Sequence, residues 1–238
     1  MLDRVALVTG AGTGIGRATS LALAGAGADV ALLGRRAGPL REVATIVRDS
    51  GRRALDLTCD VTEAAAVHDA AERVVGVLGP IDIVVANAGV NGWGPLDEQT
   101  PEVVRSVLAT NIEGMANVVR AVVPSMQERS TGKVIVIASD NGRRAEADGS
   151  AYVASKFGAV GYALSISQEL LAKGIGVHVV EPGCVDTEWY PPEEDAPRDK
   201  MLGPDDVALA VMFLATLPPE IVLEELMLLP RRLLLEPW

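Results

Sequence analysis

Short apolar runs and longer amphipathic stretches alternate from the first residues onward. Val5-Ala6-Leu7-Val8 is closed by Thr9-Gly10, and an apolar run of that length predicts a strand buried on both faces. Residues 14–26 then carry Ile15, Ala18, Leu21, Ala22 and Ala24 at helical spacing, with Gly27 as the stop. The couplet returns as a strand over 30–33 and a helical stripe over 40–47. A third strand over 54–57 ends at Cys59-Asp60, and a helix from Glu63 through Val75 follows, with Thr62 as its expected N-cap. Strand 81–85 precedes a long helix that Pro101 opens and that is expected to reach Arg129. Strand 134–137 delivers Ser139, and a helix over 150–173 leads to strand 177–180. Pro204 opens a helix to Leu217, and 226–229 forms the last strand.

Buried strands connected by helices predict an α/β fold. It should be a Rossmann-like, doubly wound parallel sheet of about seven strands with helices on both faces. The whole chain, 1–238, reads as a single domain. Its rhythm breaks once, at 187–203, where Pro191, Pro192 and Pro197 sit among Glu193, Glu194 and Asp195. That stretch reads as a mobile loop over the site.

Charge narrows the partners. With 21 Lys and Arg against 32 Asp and Glu, the net charge is −11, so phosphate backbones are repelled and a nucleic-acid partner is not expected. A local basic pocket still leaves room for a small phosphorylated ligand. Two cysteines and two histidines build neither a disulfide framework nor an expected metal site. The N-terminus lacks a signal peptide's h-region and cleavage site, and no run of ~20 apolar residues predicts a membrane span. A cytoplasmic protein with no membrane partner is expected.

Thr9-Gly10-Ala11-Gly12-Thr13-Gly14-Ile15-Gly16 joins the first strand to the first helix. Glycines there let backbone approach a pyrophosphate at a helix N-terminus, although such a turn also has a purely structural reading. The motif resembles the cofactor loop of the classical short-chain dehydrogenases/reductases, and Asn87-Ala88-Gly89 resembles the same family's signature after the fourth strand. The likeness runs through Pro182-Gly183. It implies that Thr9, Gly10, Gly12, Thr13, Gly14, Ile15, Gly16, Asp60, Val61, Asn87, Ala88, Gly89, Pro182, Gly183, Val185 and Thr187 bind a nicotinamide dinucleotide. It further implies that Asp60 contacts adenine and Thr187 the nicotinamide amide.

The acidic residue that takes the ribose 2′-OH in NAD binders lies about 20 positions past the glycine loop. Here that place holds Gly34, followed by Arg35 and Arg36. Two guanidiniums suit a 2′-phosphate, and the family's NADP-preferring members point the same way, so NADP(H) is expected over NAD(H), with Arg35 the main contact. Solvated turn arginines are the plain alternative.

Tyr152 and Lys156 lie four residues apart on a predicted helix and so share a face. The ammonium is expected to lower the phenol's pKa, making Tyr152 a general acid or base. The family resemblance adds a grip by Lys156 on the nicotinamide ribose. Ser139, thirteen residues before Tyr152, is placed to stabilise oxyanion charge. It matches the family's second serine, the first being Ala138 here. Asn111, a poor helix-interior residue, matches the fourth catalytic position and is expected to mark a distortion that binds water for a proton relay. Ser139 and Asn111 each retain a plain structural reading as well. Cys184 and His178 are expected to pack, and His68 to lie on a helix surface.

These residues together predict hydride transfer between NADP(H) and a small-molecule ketone or secondary alcohol. A C-terminal likeness to the 3-hydroxy acid dehydrogenase branch adds a 3-hydroxy acid as a candidate. The alternatives are a 3-oxoacyl-thioester reductase and a non-catalytic dinucleotide sensor. Residues 141–149, 91–94 and 188–190 should line the substrate pocket, with Trp93, Trp189 and Tyr190 an apolar wall. Arg143 and Arg144 are either carboxylate attractants or solvated loop residues. The apolar tail 230–238, with Trp238, is expected at a subunit interface, and the family resemblance implies a homotetramer or homodimer.

Overall fold

The computed structural model describes residues 3–190 and 195–236. Seven strands form one parallel sheet: β1 (Val5–Thr9), β2 (Asp29–Gly34), β3 (Ala54–Thr58), β4 (Ile83–Ala86), β5 (Gly132–Ile137), β6 (Ile175–Pro182) and β7 (Glu225–Leu228), in the order β3-β2-β1-β4-β5-β6-β7. The helices are α1 (Gly14–Gly25), α2 (Ala37–Asp49), α3 (Ala64–Leu78), α4 (Pro101–Leu108), α5 (Met115–Arg129), α6 (Ser150–Leu170), α7 (Pro204–Thr216) and the short α8 (Arg231–Leu235). The doubly wound sheet expected from the alternation of apolar blocks is therefore the one observed. Strand order reverses between β1 and β4, and ligands of such sheets bind outside the strand ends at that point.

The period-2 geometry of the strands sorts the core into two layers. Val5, Leu7, Ala31, Leu33, Val84, Val134 and Val136 join the cluster that α3, α5 and α6 cover. Ala6, Val8, Val30, Leu32, Ile83, Val85, Ile135 and Ile137 face α1, α2 and α7. Alanine and glycine on α1 let it lie close to the sheet and to α7, its main helical neighbour.

Three expectations change. The long helix from Pro101 to Arg129 is two α-helices joined by a π-helical turn, Ala109–Gly114, which contains Asn111. Thr62 does not cap α3: its N–H and hydroxyl both donate to Asp60 Oδ1, at 3.0 and 2.8 Å, and Glu63 is the N-cap. The helix expected to run to Lys173 ends at Leu170 in a 3₁₀ turn. Residues 191–194 of the expected loop lie outside the described residues, as does Trp238. Arg198 ties the loop's described flanks together by donating to Asp186 Oδ1 and to the carbonyls of Thr187 and Tyr190. Among the described residues no helix is long and apolar enough to cross a membrane.

At the opposite end of the sheet, buried Asp29 accepts from Arg53 N at 3.0 Å and Nε at 2.7 Å and pairs with Arg52 at 2.8 Å. Burial pushes its carboxyl up, but the hydrogen bonds and charges of Arg53 and Arg52 outweigh that and hold it below 3.8. A depressed carboxyl contributes stability above its unfolded pKa and loses it as pH falls through the folded value. Asp29→Asn is expected to lower unfolding free energy by about 1–3 kcal/mol at pH 7 in urea denaturation, with the difference shrinking as pH falls through the depressed folded pKa.

Candidate active site

A cleft of about 1040 Å³ opens at the C-terminal ends of the strands. The glycine loop forms one wall. Gly10 takes φ +63°, and a Cβ there would meet Asn87 Nδ2 at 2.8 Å, while one on Gly12 would meet Pro39 Cβ at 2.9 Å. Thr13 caps α1 without a side-chain hydrogen bond, and the first turn has no acidic residue. Free N–H groups and the positive helix end therefore face the cleft undiminished.

Gly10, Gly12, Thr13, Gly14 and Ile15 line this wall, but Thr9 and Gly16 do not. Thr9 is buried, its hydroxyl accepting from Asn87 N and Ala88 N at 3.0 Å each. A Cβ on Gly16 would lie 2.2 Å from Gly10 O. Both residues shape the loop from behind.

Gly34, Arg35 and Arg36 line the far end. Arg36 reaches Thr13 Oγ1 at 3.4 Å and Glu188 Oε2 at 3.2 Å. Asp60 and Val61 sit beside them, with Asp60 held below the usual carboxylate range by the Thr62 N–H, with help from the Thr62 hydroxyl and the Arg35 charge. Asn87, Ala88, Gly89, Pro182, Gly183, Val185 and Thr187 complete the wall. Bare backbone amides, close-approach glycines and two guanidiniums at one end fit a phosphorylated dinucleotide.

Tyr152, Lys156 and Ser139 meet in the middle of the cleft, all three buried. Lys156 Nζ stands 5.5 Å from the centre of the Tyr152 ring and donates to Ile137 O at 3.2 Å. Burial pushes the lysine down to about 8. The expected lowering of the phenol is not what this environment produces. Burial raises the Tyr152 hydroxyl above 10, and hydrogen bonding by Ser139 only partly opposes it. The Ser139 hydroxyl donates to Asp140 Oδ1 and accepts from Asn141 N, both at 3.2 Å.

Asn111 reaches this group through α6. Its Oδ1 accepts from Val90 N at 2.8 Å, and its Nδ2 donates to Val90 O at 3.1 Å and Ser155 Oγ at 2.9 Å. Ser155 in turn donates to Tyr152 O at 2.6 Å. Its side chain is thus committed to the protein.

Rings of Trp93 and Trp189 flank Tyr152, with centroids 6.0 and 5.5 Å away. Cys184 also lines the cleft, its thiol pushed up by burial. His178 is fully buried, with Nδ1 2.8 Å from Leu223 O, and His68 is exposed beside Glu72. Arg143 leaves the site for Glu225 and Glu181. Asp140 and Pro39 line the cleft and were not singled out in the sequence, whereas Glu146 falls in the expected 141–149 lining. The adjacency of Asp140 to Ser139 was the available signal. Among the described residues no His, Cys, Asp and Glu group is arranged to hold a metal.

Comparison with known proteins agrees with this geometry. A family model described as short chain dehydrogenase matches residues 4–197. The chain is 34% identical over 225 residues to the acetoacetyl-CoA reductase of Shinella zoogloeoides, covering 90% of this chain and 92% of the relative. It is 35% identical over 223 residues to the D-threitol dehydrogenase of Mycolicibacterium smegmatis, covering 90% and 86%. An alcohol dehydrogenase from the archaeon Thermococcus sibiricus, solved with 5-hydroxy-NADP, superimposes with a TM-score of 0.88 at 31% identity, over 94% of this chain and 95% of that one. The chain belongs to the short-chain dehydrogenase/reductase family and is a nicotinamide-dependent oxidoreductase of CH–OH and carbonyl groups.

Proposed function

We propose that this chain reduces ketones, or oxidises the matching secondary alcohols, with NADP(H), and that Tyr152 exchanges the proton. The observation that carries this reading is the burial of the Tyr152 hydroxyl, the Lys156 ammonium and the Ser139 hydroxyl together in one cleft. A bound nicotinamide supplies or accepts the hydride. The protein's part is the proton and the charge. Its high pKa keeps Tyr152 protonated at neutral pH, ready to donate to a carbonyl oxygen as negative charge develops there. Ser139, turning its hydroxyl proton away from Asp140, donates a second hydrogen bond to that oxygen. Below pH 8 Lys156 holds its proton, and its charge offsets the phenolate left behind. Asn111 sits in the π turn as the positioning partner of α6 and of the Val90 backbone, with a water relay assigned to the same place.

Arg35 and Arg36 favour NADP(H), since no carboxylate at Gly34 opposes a 2′-phosphate. Residues 1–238 act in this reading as one domain, with residues 187–190 bordering the substrate and the exposed Leu234 and Leu235 joining another subunit of a homotetramer or homodimer. Reduction of a 3-oxoacyl thioester is the second reading, favoured by the likeness to an acetoacetyl-CoA reductase.

Tyr152→Phe is expected to cut ketone reduction at least ~100-fold while the Kd for NADPH, read by its fluorescence, stays nearly constant. Retained turnover would remove Tyr152 from its role. Replacing Arg35 and Arg36 together by Ser should lower the NADPH-to-NADH ratio of kcat/KM by about tenfold or more. Equal use of both coenzymes by the unaltered enzyme refutes the preference. The Lys156 ammonium is set at about 8 folded against 10.5 free. Between these values the unfolded chain holds a proton that the folded chain has released, so stability rises with pH. Lys156→Met should abolish a rise of roughly 3 kcal/mol from pH 8 to 10.5, measured by denaturation of the cofactor-free protein.

A further inference from the structure

We infer that Asp140 determines specificity: its carboxyl, one peptide bond beyond Ser139, turns away substrates that carry a carboxylate close to the reacting carbon. The site is thereby left to ketones and alcohols whose neighbouring groups are uncharged. This rests on the reading of Ser139 and Tyr152 given above, and it decides against a 3-hydroxy acid as the substrate.

Asp140 lines the cleft half-buried, and its Oδ1 accepts the Ser139 hydroxyl at 3.2 Å. A substrate oxygen that takes the single Ser139 hydroxyl proton displaces it from Asp140, and so comes to lie beside a carboxylate. Two further acids line the same end: Glu146, whose Oε2 accepts from Asn141 Nδ2 at 3.2 Å, and Asp148. Of the nearby arginines, Arg143 and Arg36 are engaged elsewhere, and Arg144 alone offsets part of the Asp140 charge. Arg143 Nε donates to Glu225 Oε2 at 2.8 Å and stands 3.6 Å from buried Glu181, so it is drawn toward β6 and β7. Arg144 acts on Asp140 electrostatically from outside the lining. Arg36 serves the opposite end, beside Glu188.

Lys156 is the cation nearest the reacting group, and it lies against the Tyr152 ring and the Ile137 carbonyl. The indoles on either side of Tyr152 thin the water there, which strengthens any charge–charge term. In a 3-oxo acid the carboxylate sits two bonds from the carbonyl carbon. With the carbonyl oxygen on Ser139 the substrate carboxylate falls close to that of Asp140; for a separation of about 6 Å and an effective dielectric constant near 20, the repulsion would weaken binding about a hundredfold. Methyl esterification removes that charge while leaving the carbon frame almost unchanged.

The test compares acetoacetate with methyl acetoacetate, and longer 3-oxo acids with their methyl esters, as substrates with NADPH. The same pairs are titrated against the NADPH complex by coenzyme fluorescence. The unaltered enzyme should favour each ester, and the margin should narrow as salt is raised from 20 to 500 mM, on the order of the change in screening length. Asp140→Asn should raise the acid-to-ester ratio of kcat/KM about tenfold or more, and Asp140→Glu should keep the original ratio. The ratio cancels any general loss that arises because Asp140 touches Ser139. Acids used as well as esters by the unaltered enzyme, or a ratio unmoved in Asp140→Asn, overturns the inference while leaving carbonyl reduction standing. Failure of every ester to be reduced or bound overturns the carbonyl-reductase reading itself.

Discussion

The site depends on one pair of strand ends being held in fixed relation. At the switch between β1 and β4, the Thr9 hydroxyl accepts two successive backbone N–H groups, those of Asn87 and Ala88, while the Asn87 amide donates to Thr9 O at 2.8 Å. Two strands that leave the sheet toward opposite faces would otherwise splay here. The glycine loop and the first turn of α1 are built on this junction, and the missing side chain of Gly16 lets the helix approach Gly10 O closely. A side chain at position 9 without an acceptor would leave two sheltered amides unpaired, a cost comparable to losing the hydrogen bonds outright.

From that junction the cleft runs between opposite electrostatic characters. Its outer end has two guanidiniums and unshielded helix amides, on a chain whose net charge is −11. Its reacting end has carboxyls, two indoles and one deeply buried ammonium. The low dielectric around Tyr152 and Lys156 acts on both groups in the same sense, favouring the neutral form of each. Neither is tuned by its neighbour alone. Burial sets the direction of both shifts.

Much of this could be read from the amino-acid order because the relevant signals are local. Buried strands announce themselves as unbroken apolar runs, and the glycine loop and the Tyr152–Lys156 spacing each occupy one short window. What escaped was set by contacts distant in the chain. Thr9 belongs to the glycine motif, but the amides that its hydroxyl accepts lie 78 and 79 positions away. Arg143 looked available until β7 supplied Glu225, 82 positions on. The rise in the Tyr152 pKa likewise comes from enclosure by several segments, which a four-residue spacing does not encode. Thr62 was misread for a local reason: its hydroxyl served the preceding aspartate instead of the following helix.

The π turn at Ala109–Gly114 makes chain length itself a functional variable. Such a turn holds one residue more than an α turn, and here the surplus aims the Asn111 amide at Val90 and Ser155. Deleting any single residue from this stretch would let the helix continue without interruption, with every preceding side chain swung by about 100° around its axis. Changing the residue count would therefore re-aim a whole face of α4, so the segment has little freedom to vary in length even where its side chains are free to vary in kind.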